Sequence, residues 1–362
     1  MEAHGNPILQ EDLEIIASAT IPIEQLKDSA ILITGATGLV GVNLVRAFAC
    51  MNRIRHLNMM IYALVRSRQK AQMIYGELLQ RTDIQLIEAD LIDDNFEQKI
   101  PLAIVDHIIH AASVTTSKVM IEKPVETIMT SLVGTKRLLD LAHQVNAKSF
   151  VYISSMEVYG TFDGFETSMV IEEQMGYINP LEVRSNYSQS KRMCENMCIA
   201  YHSEYGLNVK IARLSQTFGA GILPGENRVF AQFANSVLNK KDIVLHTRGL
   251  SEGNYCYLRD TVIAILVILL DGKAAQAYNV SNEESHTTIY DMAKMVCEEI
   301  ANHEIRVVLD IPQSNIFGYA PDTKLKLKTD KLRALGWLPS VGLKEAYLRM
   351  ISSMKWEQEQ QT

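Results

Sequence analysis

ILITGATGLVG, residues 31–41, decides how the rest of the chain is read. Its first half is a run of apolar, strand-forming residues, and its second half opens a helical pattern. Three glycines mark the junction, each with its own physical task. Gly35 permits a sharp turn out of the strand, Gly38 lets the backbone approach a pyrophosphate, and Gly41 lets the helix lie close on the sheet. Free N–H groups at the helix start, around Thr37, Leu39 and Val40, then face an anion. A glycine triplet in isolation is only a tight turn. This one follows a strand, opens a helix and begins a series of similar units, which points to dinucleotide binding.

Outward from this stretch, strand-like and helix-like segments alternate. MMIYALV, IQLIEAD, VDHIIHAA, SFVYISS and NVKIARL read as further strands, and PVETIMTSLVGTKRLLDLAHQV and SNYSQSKRMCENMCIAYHSEY as long helices. Nearly continuous apolar strands separated by helices imply an α/β fold, with a parallel sheet covered on both faces. After about residue 218 the rhythm changes to a Gly/Pro loop, FGAGILPGEN, followed by shorter elements. LKTDKLRALGWLPSVGLKEAYLRMISS reads as a turn between two short helices. The C-terminal part is expected to fold against the sheet and return a strand or two to it. Residues 1–28 form an amphipathic preface, with Leu13, Ile15 and Ile16 marking a short helix packed on the outside.

Composition bounds the function. The 362 residues carry a net charge of −7, without the basic face that sequence-independent nucleic-acid binding needs. The apolar run VIAILVILL is far shorter than the ~20 residues of a membrane-spanning helix, and the start lacks the pattern of a signal peptide. The five cysteines are scattered and odd in number, as in a reducing compartment. Cys194 and Cys198, one helical turn apart, have no further ligand nearby and read as packing, so no metal is expected. Together these features describe a soluble cytoplasmic protein.

The second strand ends in Val65-Arg66-Ser67-Arg68, where NAD enzymes usually place a carboxylate for the ribose 2′-OH. Guanidinium groups suit a 2′-phosphate, so Arg66 and Arg68 tilt the reading towards NADP over NAD. Asp90, followed by Leu91 at the end of the third strand, is placed to bond the adenine amino group. Downstream, Tyr187 and Lys191 stand four apart on one helix face. A tyrosine with a pKa near ~10 is a poor base at neutral pH, but a neighbouring ammonium and a positive nicotinamide favour the phenolate. Ser155, at the end of the fifth strand, is placed to bond the same substrate oxygen.

In this order (glycine turn, Ser at a strand end, Tyr-x-x-x-Lys), the chain resembles the extended short-chain dehydrogenase/reductases of the nucleotide-sugar epimerase/dehydratase family. TGATGLVG, ADL, HAAS, GTKRLLDLA, SSMEVYG, YSQSK, RLSQTFGAG, YNVSN and LGW follow the family order over almost the whole chain. The resemblance implies a Rossmann domain over residues 29–218 with a returning segment near 255–282, and a smaller nucleotide-sugar domain from 219–254 and 283–362. It also implies a tightly held nicotinamide cofactor and a homodimer, in glycan-precursor synthesis. Ser155, Tyr187 and Lys191 match the catalytic positions; Ala111, Ala112 and Ser113 match cofactor positions. Ser113, Thr115, Ser155, Met156, Gln216 and Arg228 match the substrate side.

Glu157 stands two residues after Ser155, where family members that eliminate water or CO2 often have a glutamate. Oxidation at C4 of a hexose acidifies C5–H, and a carboxylate there could remove that proton. Met156 replaces the Asp of the dehydratases acting on dTDP-glucose. EVRSNYSQSKR, 182–192, resembles the corresponding segment of UDP-glucuronate decarboxylases. Gly221 and Gly253 stand where relatives carry arginines, and Arg228 or Arg259 are the candidates to compensate. The expected activity is a nucleotide-sugar epimerase or 4,6-dehydratase working through a 4-keto intermediate. A decarboxylase or keto-sugar reductase is the alternative, and a non-catalytic dinucleotide sensor or scaffold is the reading from another class.

Overall fold

The computed structural model describes residues 1–100, 105–162, 169–223, 225–312 and 322–360. Pro224 of the Gly/Pro loop, and 313–321 and 361–362 of the expected C-terminal division, lie outside them. The sheet is built from the runs that the apolar pattern marks: β1 Ala30–Thr34, β2 Met60–Val65, β3 Ile84–Glu88, β4 His107–His110, β5 Ser149–Ser155 and β6 Val209–Leu214. Five of them, β1, β2, β4, β5 and β6, contain no exposed residue, because helices cover both faces. The edge strand β3 instead exposes Gln85 and Glu88, polar side chains that suit an unpaired edge. Short strands follow at Gln216–Phe218 (β7), Ile243–Leu245 (β8), Glu252–Gly253 (β9) and Tyr255–Tyr257 (β10). The last are Gln276–Val280 (β11), Thr287–Thr288 (β12) and Val307–Leu309 (β13).

The main sheet runs β11-β6-β5-β4-β1-β2-β3, with every pairing parallel. β11 is the strand that the later part of the chain returns to the sheet. Strand order reverses between β1 and β4, and a crevice outside the carboxyl ends of parallel strands at such a reversal is where ligands bind in open α/β folds. The helices are α1 Pro7–Ala17, α2 Leu39–Arg55, α3 Arg68–Tyr75, α4 Ser117–Glu122, α5 Pro124–Gln144, α6 Ser185–Tyr205, α7 Val229–Leu238, α8 Leu258–Asp271, α9 Ile289–Met295, α10 Asp330–Arg333 and α11 Leu343–Glu359. One core joins α1, α2 and α8 to one face of the sheet, the second joins α5 and α6 to the other, and a third gathers α7, α9 and α11 around Phe218, Phe230 and Tyr347. Among the described residues no helix is long and apolar enough to cross a membrane.

Two expectations change. The late pair of short helices is unequal: α10 has 4 residues and α11 has 17. The preface is not an outer ornament. Leu13 and Ile16 are buried while Ile15 is exposed, so α1 is amphipathic as expected. Its Asp12, however, is buried and accepts hydrogen bonds from Tyr257 at 2.5 Å, Arg259 at 3.1 Å and Arg349 at 2.7 Å. Asn6, which caps α1 through Leu9 N–H, also donates to Ser353 Oγ of α11 at 2.8 Å. The first helix therefore ties α8 to the last one.

Candidate active site

At the β1–α2 turn, Gly35 has φ +65°, and a Cβ there would stand 2.7 Å from the Ala112 backbone. A Cβ on Gly41 would stand 2.2 Å from the Gly35 carbonyl oxygen. Side chains at either position are excluded by backbone, which explains the spacing. Gly38 caps α2 with no side-chain hydrogen bond, leaving the first-turn N–H groups beside Thr37, Leu39 and Val40 to face an anion. A buried relay supports the neighbouring strand end. His110 shares hydrogens with Thr34 Oγ1 through Nδ1 (2.8 Å) and with Thr135 Oγ1 through Nε2 (3.1 Å), and Thr34 Oγ1 accepts from Ala112 N–H. Burial, and then the nearby Lys191 charge, push the His110 ring down to about 3, so it stays neutral. Beyond Ala111 and Ala112, the Ser113 hydroxyl is buried without a hydrogen bond of good geometry. An uncapped helix start and a side-chain-free turn fit a dinucleotide.

The adenosine end is less prepared. Asp90 Oδ1 accepts from Ile92 N–H at 3.2 Å, and the adjoining Leu91 is buried against Gly134. Arg68 is committed: its N–H bonds Glu88 at 2.9 Å and its Nε lies 3.6 Å from the same carboxylate. Only Arg66 stays exposed at this turn without a partner among the described residues, so the paired-guanidinium expectation reduces to one arginine. The cause is the sheet register, which sets Val65 of β2 beside Glu88 of β3.

Ser155, Tyr187 and Lys191 converge below this cradle. Ser155 ends β5, and its Oγ accepts from Glu157 N–H at 3.2 Å, starting the 3₁₀ turn Met156–Tyr159. Tyr187 is 7% exposed on the first turns of α6. Burial, and then the charge of Glu157, raise its phenol to about 12, while Ser155, Arg184 and Ser113 pull the other way. Lys191 Nζ donates to the Ile153 carbonyl at 2.7 Å and lies 4.7 Å from the Tyr152 ring centre and 5.8 Å from that of Tyr187. Burial lowers its ammonium to about 8. The protein alone therefore does not prepare a phenolate: desolvation and Glu157 outweigh Ser155, Arg184 and Ser113.

Glu157 is held from three directions. Arg184 Nη2 donates to Oε1 at 3.2 Å, Arg184 Nη1 lies 3.1 Å from Oε2, and Ser188 Oγ donates to Oε2 at 3.2 Å. Arg184 also stands 5.9 Å from the Tyr187 ring centre. Arg184 and Ser188 flank Tyr187 on α6; sequence reasoning passed over both. The available signal was their place in the same helical turn, three before and one after the tyrosine. Met156 faces Gly253 of β9, 4.0 Å from where that glycine's Cβ would be.

The remaining candidates are dispersed. Thr115 is exposed before α4, and Gln216 is half-buried in β7, opposite Tyr255. Arg228 pairs with Glu226 at 2.6 Å and lies over Phe230. Arg259 is buried under α1 with Asp12 and Ser340, so it is committed to the fold. Asp260 accepts from Ser340 N–H and Oγ–H and from Val341 N–H, fixing that distant loop.

The family model described as NAD dependent epimerase/dehydratase family matches residues 31–281. The chain belongs to this family. UDP-glucuronic acid decarboxylase 1 of Danio rerio is 30% identical over 72% of this chain, and UDP-glucuronic acid decarboxylase 3 of Arabidopsis thaliana 31% over 68%. The match spans 60% of the length of the first and 69% of the second. UDP-glucose 4-epimerase of Thermotoga maritima, solved with UDP-glucose, superposes with a TM-score of 0.75 over 91% of this chain and 99% of its own, at 20% identity. An epimerase of Methanothermobacter thermautotrophicus gives 0.76 over 99% of both chains at 19% identity. The second superposition takes in nearly the whole chain, beyond the stretch that the family model matches.

Proposed function

We propose that this family member is an enzyme that oxidises the C4 hydroxyl of a nucleotide-diphosphate-linked sugar, rearranges the 4-keto sugar and reduces it again. The observation that carries the reading is the convergence of Ser155, Tyr187 and buried Lys191 beside an uncapped glycine turn, with the Ser113 hydroxyl next to the phenol. Gly35, Gly38, Gly41, the α2 N-terminus, Asp90 and Ser113 would hold the nicotinamide dinucleotide. When bound, its ring supplies the two-electron acceptor and a positive charge. Ser155 orients the sugar hydroxyl by donating to its oxygen, and Tyr187 takes its proton. Lys191, bonded to the Ile153 carbonyl, fixes the strand end that carries Ser155 and places a positive charge below the phenol. Supporting the division of labour, residues 29–218 with 255–282 build the sheet, while 219–254 and 283–362 contribute much of the third core.

Once C4 is oxidised, 4-epimerisation, 4,6-dehydration and decarboxylation are all open, and a specific observation sets dehydration behind the other two. Glu157 already bonds Arg184 and Ser188, so taking a C5 proton costs it one of those bonds. Neither 4-epimerisation, in which the ketone only presents its other face to the returning hydride, nor loss of CO2 from a 4-keto uronic acid needs such a base; in the latter the C5–C6 bond breaks, its electron pair moves into the enolate, and C5 is then reprotonated. Incubation with UDP-, dTDP-, GDP- and CDP-sugars, UDP-glucuronate included, tests the proposal by product analysis. An isomer, a keto-deoxy sugar or released CO2 is expected. Conversion of none of them, with dinucleotide still binding, would make the protein a non-catalytic sensor.

Three finer readings accompany it. With Arg66 exposed and no carboxylate in Arg66-Ser67-Arg68, NADP is expected to bind several-fold more tightly than NAD. Arg66→Ala should cancel that advantage in a binding titration; an unchanged NADP:NAD ratio would remove Arg66 from the site. Exposed Val125 and Met129 on α5, with Met193 and Ile199 on α6, offer an apolar face for a homodimer. A monomer by sedimentation at micromolar concentration would end that reading. All five cysteines are buried and unbridged, which supports a cytoplasmic setting.

A further inference from the structure

Arg184 occupies the N-cap of the 21-residue helix α6, with no side-chain cap and no acidic residue in that helix's first turn. The positive end of the helix therefore adds to the guanidinium charge. The arginine is one-third exposed, beside the phenol and against Glu157. The other cations considered for the site are engaged elsewhere. Lys191 is buried under Tyr187 and bonds a backbone carbonyl, Arg228 pairs with Glu226, and Arg259 bonds Asp12. Glu157 balances Arg184, but Lys191 and the helix terminus leave the local sum positive. C6 of a pyranose is attached one carbon from C4, so a substituent there falls near whatever borders the proton acceptor. A planar carboxylate gains two charge-assisted bonds from a guanidinium fork; a CH2OH group gains one neutral bond.

We propose that Arg184 is a specificity-determining residue that receives the carboxylate of a nucleotide-diphosphate-linked uronic acid, so that the protein prefers such ligands to the matching neutral hexoses. The inference rests on the nucleotide-sugar reading above. Glu157 shares the guanidinium with the incoming carboxylate and keeps its Ser188 bond, which makes it the group that aims Arg184.

The test is equilibrium binding of UDP-glucuronate and UDP-glucose to the full-length, dinucleotide-loaded protein, carrying Tyr187→Phe so that neither ligand is consumed. UDP-glucuronate should bind at least ~20-fold more tightly, in line with a charge-assisted pair of bonds. Adding Arg184→Gln should bring the two affinities within ~3-fold while leaving UDP-glucose binding nearly unchanged. Arg184→Lys, which keeps the charge but loses the fork, should fall between. Glu157→Gln should keep or enlarge the preference. Equal affinities in the parent, or a preference that survives Arg184→Gln, would overturn the proposal. A parallel loss of both ligands in Arg184→Gln and Glu157→Gln would also overturn it, leaving Arg184 a support for Glu157. Failure of the parent to bind either sugar would instead sink the nucleotide-sugar reading itself.

Discussion

Tyr187→Phe lowers turnover of a nucleotide sugar by about 10³–10⁴-fold, with the substrate affinity changed less than about 3-fold. On the proposed reading the phenol is the group that takes the proton, and a long helix carries it beside Ser155. Phenylalanine keeps the ring and its packing, so only the proton acceptor is lost. The pH profile gives a second readout. In the free protein the phenol is raised to about 12 by burial and by Glu157, so the phenolate fraction climbs with pH through the neutral range. kcat/KM should therefore rise from pH 6 towards the apparent pKa, lowered by whatever positive charge the bound cofactor adds. In Tyr187→Phe the residual rate should be flat over that range. A variant that retains a tenth of the activity with the same rising limb would take the proton-acceptor role from Tyr187.

Glu195→Ala should destabilise the fold by about 3–5 kcal/mol, the cost of leaving a buried charge unpaired. Glu195 accepts from Arg213 Nε at 2.9 Å and Nη2 at 2.6 Å, and from the Ser154 hydroxyl at 2.6 Å, with both charged side chains under a tenth exposed. Arg213 also donates to Tyr159 Oη and the Glu172 carbonyl, so the pair joins β5, β6 and the segment before α6. Denaturant melts read the loss directly. Replacing both partners with apolar residues of similar size, Glu195→Leu with Arg213→Met, should recover most of it. A single-variant loss below about 1 kcal/mol would show that water reaches the pair. Ser154 precedes Ser155, so the alanine variant should also turn over more slowly while still folded.

The parts of this molecule that sequence reveals are those where one local conformation permits one residue type. Gly35 and Gly41 are legible because backbone atoms of Ala112 and of Gly35 itself fill the space a side chain would need. Tyr187 and Lys191 are legible because four residues make one helical turn. Burial of β1, β4 and β6 is legible from unbroken apolar runs. What escapes is the pairing of charges across the fold. Arg68 and Arg259 look available in a string of letters, and each is engaged by an acid that the topology delivers. For Arg259 that acid comes from a helix 247 positions away. Glu157 is readable as a carboxylate two residues after Ser155, but its partner Arg184, 27 positions on, becomes visible only when β5 and α6 are set side by side. The phenol's pKa escapes for the same reason: spacing suggests the lysine's influence, and only packing shows the larger cost of desolvation.

The clasp that Asp12 makes on Tyr257, Arg259 and Arg349 has a practical corollary for anyone cutting this gene into pieces. A fragment trimmed to residues 31–281, the stretch the family model recognises, would lose the helices at both extremities. It would strip Arg259 of Asp12 and lay bare the apolar flank of α8 that α1 shelters. Such a minimal piece should precipitate, whereas the intact polypeptide, with its opening and closing segments fastened together, should remain dispersed.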